Sequence, residues 1–210
     1  MADFLIYSGY LILLINLILY SISFFRKEKV NGFFVAYLVF AFIMQMSMEL
    51  LYHLHFNNLF LVNIFIIGQM VLLGFFYNSL IKIKSQKLFV KSILSVGIVI
   101  FCVQFFLEPK EFLKFNLFTI TLTSLSCVIF GLLHFYNMLT EKKVYYYITI
   151  AVIFFMLGST VLYLIGNLTL TLSLDVKYFS WKLNAFLFLV YQLVILHEWK
   201  VSFFKKSFEN

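Results

Sequence analysis

Proline is nearly absent: Pro109 is the only one in 210 residues. None of the long apolar runs therefore contains this helix breaker, which argues against the interrupted helices of repeat-built transporters. Charge is also scarce. Asp, Glu, Lys and Arg make up 12% of the chain while hydrophobic residues make up 63%, a balance outside the soluble globular class. Extended polar stretches are missing too. The gaps between apolar runs reach only about ten residues and the stretch after Trp199 about eleven, whereas a kinase, nucleotide-binding or DNA-binding module needs at least about 50. No two glycines stand four apart, so GxxxG contacts are excluded as a packing device. Only two cysteines occur, Cys102 and Cys127, and both lie inside apolar runs as small hydrophobes rather than as a disulfide or metal pair.

What is present is apolar and long. Seven runs, at roughly 4–24, 33–56, 59–81, 88–107, 115–139, 145–167 and 180–200, each approach or exceed the roughly 20 residues needed to cross the hydrocarbon as a helix. They predict an all-α, single-domain bundle of seven transmembrane helices over residues 1–210, with no soluble domain. The N-terminal Met1-Ala2-Asp3 lacks a basic n-region and no cleavage site follows the first run, so that run is expected to remain. Twelve of the sixteen Lys and Arg residues fall in alternate gaps: Arg26, Lys27 and Lys29; Lys82, Lys84, Lys87 and Lys91; Lys142 and Lys143; Lys200, Lys205 and Lys206. The remaining gaps hold only Lys110, Lys114, Lys177 and Lys182. By the positive-inside rule this predicts an outside N-terminus and an inside C-terminus. The net charge of +7 then belongs to loops facing anionic headgroups, not to a nucleic-acid surface. Phe and Tyr are abundant, which fits an aromatic-rich ligand cavity or, ahead of it, an AT-rich bacterial genome filling lipid-facing positions. Pro109 marks a helix end in the fourth gap. The sixth gap, 169–179, alternates Leu with Thr and Ser and predicts a short extended or interfacial outer segment.

A carboxylate within a membrane span costs about 3 kcal/mol, so such residues face the bundle interior or a partner. Glu49 is therefore the most informative residue. Gln45, Glu49 and His53 share one helix face at spacings of four, and Tyr52 adjoins it. In the predicted orientation they lie in the outer half, either as an outward ligand pocket or as a network fixing helix register. Lys182, beside Trp181, opens the last span near the outer interface, with snorkelling or pairing to Glu49 or Asp175 as its alternatives. It stands too near the helix end to carry a retinal Schiff base. Asn184 follows within a turn, and Thr160, Tyr163 and Asn167 share a face of the sixth span. His197, Trp199 and Lys200 at the inner end are candidates for docking a partner or for anchoring the helix. His53 and His55 fall near the outer end and His134 and His197 near the inner end. A metal ion, with ligands about 2 Å away, cannot span that separation. No metal, no cofactor and no catalytic residue are read from the sequence.

The stretch from Tyr145 to Lys200 carries Gly158-Ser159-Thr160-Val161-Leu162-Tyr163-Leu164-Ile165-Gly166-Asn167, a polar loop, and Trp181-Lys182-Leu183-Asn184-Ala185. It resembles the small seven-helix membrane proteins of Bacteroidota-type bacteria, often encoded beside sensor histidine kinases. The resemblance covers about a quarter of the chain and implies no catalytic residues. It implies a sensory or accessory module of the bacterial inner membrane, with the lipid bilayer, a small ligand and a signalling partner such as a histidine kinase as its contacts. The expected function is a non-enzymatic, receptor-like sensor whose outer polar pocket binds a small ligand. A small-molecule transporter or its membrane subunit is the alternative, ahead of a lipid-modifying membrane enzyme.

Overall fold

In hydrocarbon every backbone N–H and C=O must find its partner within the protein, which drives long apolar runs into helices. The computed structural model describes residues 2–168 and 174–203, with side chains over 3–167 and 179–203. Among the described residues the elements are all helices: α1 (Ala2–Phe25), α2 (Gly32–His53), α3 (Leu59–Leu80), α4 (Lys84–Leu107), α5 (Pro109–Phe112), α6 (Leu117–Asn137), α7 (Tyr146–Leu168) and α8 (Leu174–Ser202). All but the one-turn α5 are long and apolar enough to cross a membrane.

Helix boundaries differ from the apolar runs for local reasons. The second run extends to 56, yet α2 stops at His53 because His55 takes φ 58. The Phe56 N–H then donates to the Leu51 carbonyl at 2.9 Å and the His55 N–H to Tyr52 at 3.1 Å, closing a Schellman motif. Lys27, with φ 58, closes α1 in the same way, as Glu28 donates to Ser23 and Lys27 to Phe24, both at 3.0 Å. Neither position is a glycine. Pro109 does more than end a helix: it occupies the first turn of α5, where its missing N–H costs nothing. Asn116 caps α6 by accepting from the Thr119 N–H at 3.0 Å, which trims the fifth run at its start.

The last helix begins at Leu174, six residues before the expected 180. Residues 169–173 of the predicted extended segment lie outside the described residues, as do the side chains of Asp175 and Lys177 and the whole of Lys205 and Lys206.

Six helices close a ring in which α1, α2, α3, α6, α7 and α8 each contact the next and α8 returns to α1. The fourth span, α4, stands outside the ring against α3 and α6. Since successive spans alternate in direction, α1 and α8 run parallel where they meet. The ring is filled largely by aromatic side chains. Tyr20, Phe34, Tyr37, Phe76, Tyr77, Phe130, Tyr145 and Tyr191 are all buried. The aromatic surplus is thus not confined to lipid-facing positions, although Phe4, Phe25, Phe106 and Phe154 do face outward. Gly68 permits one close approach: a Cβ there would collide with the Phe40 ring.

Candidate functional site

One end of the ring carries the lysine-rich gaps, and the candidate site lies at the other. Glu49 is one turn from the end of α2, where the Cβ direction and four-residue spacing set it above Gln45 and below His53. Its carboxylate faces α1. Oε1 accepts from the Tyr7 hydroxyl at 3.1 Å and lies 3.0 Å from His53 Nε2, while Oε2 accepts from the Tyr10 hydroxyl at 3.4 Å. The Glu49 side chain is 23% exposed and that of His53 61%, so the cluster opens at the edge of the α1–α2 seam. Tyr7 and Tyr10 meet edge to face at 6.3 Å, and Tyr52 meets the His53 ring at 5.6 Å. Gln45 is half-buried a turn below and makes no hydrogen bond to this group among the described residues.

Two other predicted residues meet at a different seam. The Asn184 side-chain amide on α8 donates to the Tyr163 hydroxyl on α7 at 3.0 Å, leaving Asn184 Oδ1 buried without a partner. Phe115 and Trp181 pack against the Tyr163 ring at 5.3 and 6.5 Å. Asn167 and Lys182 are exposed. Neither Lys182 nor the Tyr163–Asn184 pair bonds to Glu49 among the described residues. The single pocket imagined from the sequence therefore resolves into an α1–α2 seam and an α7–α8 seam.

At the lysine-rich end, His197 and Lys200 are exposed, and His197 meets the Tyr147 ring at 4.8 Å. Trp199 is half-buried and its indole N–H donates to Ser23 at 3.0 Å. Between them lies a residue that the sequence did not single out. Glu198 is buried; its Oε2 accepts from the Tyr147 backbone N–H at 2.9 Å and its Oε1 from Ser202 at 2.6 Å. It supplies from α8 the side-chain cap that the start of α7 needs. Its position among His197, Trp199 and Lys200 reads as an interfacial anchor, and nothing local points to a backbone partner 51 residues away. Nearby Tyr145, outside the spans with φ 53, accepts from the Asn31 N–H at 2.7 Å, and burial pushes its hydroxyl up to about 12.

The two ends are joined by one line of contacts. On α1 and α8, Tyr10 meets Phe188 edge to face at 6.4 Å. Asn16 Nδ2 donates to the Gln192 carbonyl at 2.8 Å and to Gln192 Oε1 at 3.1 Å. Tyr20 donates to the Ile195 carbonyl at 3.1 Å, and the Ser23–Trp199 bond ends the row. Asn16 Oδ1 and Gln192 Nε2 are left buried without partners, so the two amides complete only part of the pairing they are capable of.

Comparison with protein-family models, with curated proteins and with solved structures finds no match to this chain.

Proposed function

We propose that the protein is a non-enzymatic, receptor-like membrane sensor that binds a small ligand at the α1–α2 seam around Glu49. The observation that carries this is the Glu49 carboxylate, 23% exposed and held by Tyr7 and Tyr10 of one helix and His53 of another. A carboxylate kept for register alone is better placed where the bundle excludes solvent and lipid, as Glu198 is. The positive-inside distribution orients this end outward in a bacterial inner membrane and the lysine-rich end toward the cytoplasm.

A ligand shifts a two-state protein only by binding one state better than the other. The α1–α8 row supplies the element for such a change. A ligand at Glu49 shifts α1 through Tyr7 and Tyr10, and parallel α8 follows through Asn16–Gln192 to Trp199. The incompletely paired amides give that seam a second arrangement, in which Gln192 Nε2 donates to Asn16 Oδ1. The output is a changed surface at His197, Trp199 and Lys200, read by a membrane or cytoplasmic signalling partner such as a histidine kinase.

Two experiments test this reading. Reporter fusions after Lys84 and Lys143 should behave as cytoplasmic and one in the Glu108–Lys114 turn as external; an external Lys84 would invert the site and end the proposal. In the native host, transcriptional profiling of Glu49→Gln should show a defined set of genes losing its response to growth conditions, while the protein remains at wild-type level in the membrane. An unchanged profile would remove the sensory role.

A further inference from the structure

The chemistry around Glu49 specifies more than a polar ligand. We infer that the seam recognises an organic ammonium group, an assignment that rests on the ligand-binding reading above and narrows it.

Three ion pairs occur among the described residues: Lys82 with Glu141, Lys114 with Glu111, and Glu49 with His53 alone. Glu49 is thus the member of this set with no lysine or arginine, although it sits within a membrane-spanning helix where a lone carboxylate is expensive. Lys182, near the start of the last span, is exposed and does not reach it. Asp3, in the first turn of α1 and four residues before Tyr7, adds a second acidic side chain at this end of the helix. An anionic ligand is disfavoured there.

A carboxylate offers about four lone-pair directions, and three are used here. Oε1 takes two donors, whereas Oε2 takes only the longer 3.4 Å bond from Tyr10. One acceptor direction on Oε2 remains for an N–H donor.

Tyr7 and Tyr52 are 50% and 66% exposed, and Tyr10 and His53 complete an aromatic rim around the carboxylate. A cation within about 6 Å of such rings is attracted by their negative faces, and the attraction grows where water is thin. Glu49 stands four residues from the end of α2, about 6 Å along the axis at 1.5 Å per residue, a depth that a lipid headgroup amine or an amphiphilic amine reaches from the surface. Both sources carry the same ammonium chemistry.

The test uses the full chain in phosphatidylglycerol nanodiscs, with the thermal midpoint followed by helical circular dichroism. Titration with n-butylammonium should raise the midpoint saturably, while butyrate and butyramide leave it unchanged. Phosphatidylethanolamine in the bilayer, without added amine, reproduces the rise if the headgroup is the source; a rise with butylammonium but not with this lipid assigns a soluble amine. Glu49→Gln should weaken the ammonium response by at least about tenfold, the loss expected when a charge-assisted contact becomes neutral. If that variant is poorly folded, Glu49→Asp replaces it, and should keep the preference for butylammonium over butyramide. A Glu49-dependent rise with butyramide or butyrate equal to that with butylammonium overturns the ammonium assignment and leaves a ligand site standing. No Glu49-dependent rise with any amine source also overturns it, and the sensory reading is then decided separately by the expression profile of Glu49→Gln in the host.

Discussion

Glu198 and Glu49 lie at opposite ends of the ring, and their surroundings differ in kind. Glu198 is buried against groups that cannot move far: the Tyr147 N–H in the first turn of α7 and a serine one turn along its own helix. Its neighbourhood is tied the same way. Asn31 donates to Ser79 at 2.6 Å, Asn137 to Gln86 at 2.7 Å, and His134 Nε2 lies 2.9 Å from the Val144 carbonyl. Glu49 instead meets the flexible tips of two tyrosines and an exposed histidine, and remains open at the edge. One carboxylate completes a helix end; the other lies partly open at a helix seam. Solvent-shielded polar groups satisfied by backbone give stability, while partly satisfied ones at a rim are free to take a new partner.

The contrast is broken most severely at Glu198. Truncation to Ala leaves the part-buried Tyr147 N–H without its acceptor and removes the α7 cap, a loss of about 1–2 kcal/mol. The thermal midpoint in detergent should fall clearly, and Glu198→Gln, which keeps an acceptor oxygen, should recover much of it. Equal midpoints for Glu198→Ala and the wild type would mean that this carboxylate does not hold the lysine-rich end together.

The seam between the two ends should respond less. Asn16→Ala deletes an interhelical hydrogen-bonding group at zero exposure, yet in membranes such bonds average about 0.6 kcal/mol because the separated helices find other partners. A modest drop in midpoint is expected, together with the loss of any effect of Glu49 occupancy on Trp199 fluorescence. Retention of that coupling would move the communication off the α1–α8 row.

The seven spans were legible because hydropathy alone sets them, and Glu49 with His53 was legible because four-residue spacing is a property of one helix. What stayed hidden depends on two helices at once. Nothing in the α1 sequence says that Tyr7 and Tyr10 turn to Glu49, or in α8 that Glu198 caps α7. The exclusion of α4 from the ring was equally hidden, since an apolar helix face serves lipid and protein alike. Helix ends closed by Lys27 and His55 rather than glycine carry no local stop signal of the usual kind.

The smallest stability effect is expected at Glu49. In Glu49→Gln the amide oxygen still accepts from Tyr7, and the site's partial exposure limits what burial can add, so the midpoint should move by no more than about 0.5 kcal/mol equivalent. Function and stability then separate: host response is lost while folding is kept, the reverse of Glu198→Ala, where folding is weakened and residual response scales with the folded fraction. Measuring both quantities on both variants tests the division directly. If Glu49→Gln lowers the midpoint as much as Glu198→Ala does, the Tyr7–Glu49–Tyr10 group is a structural tie between α1 and α2. The two ends of the ring would then differ in exposure but not in role.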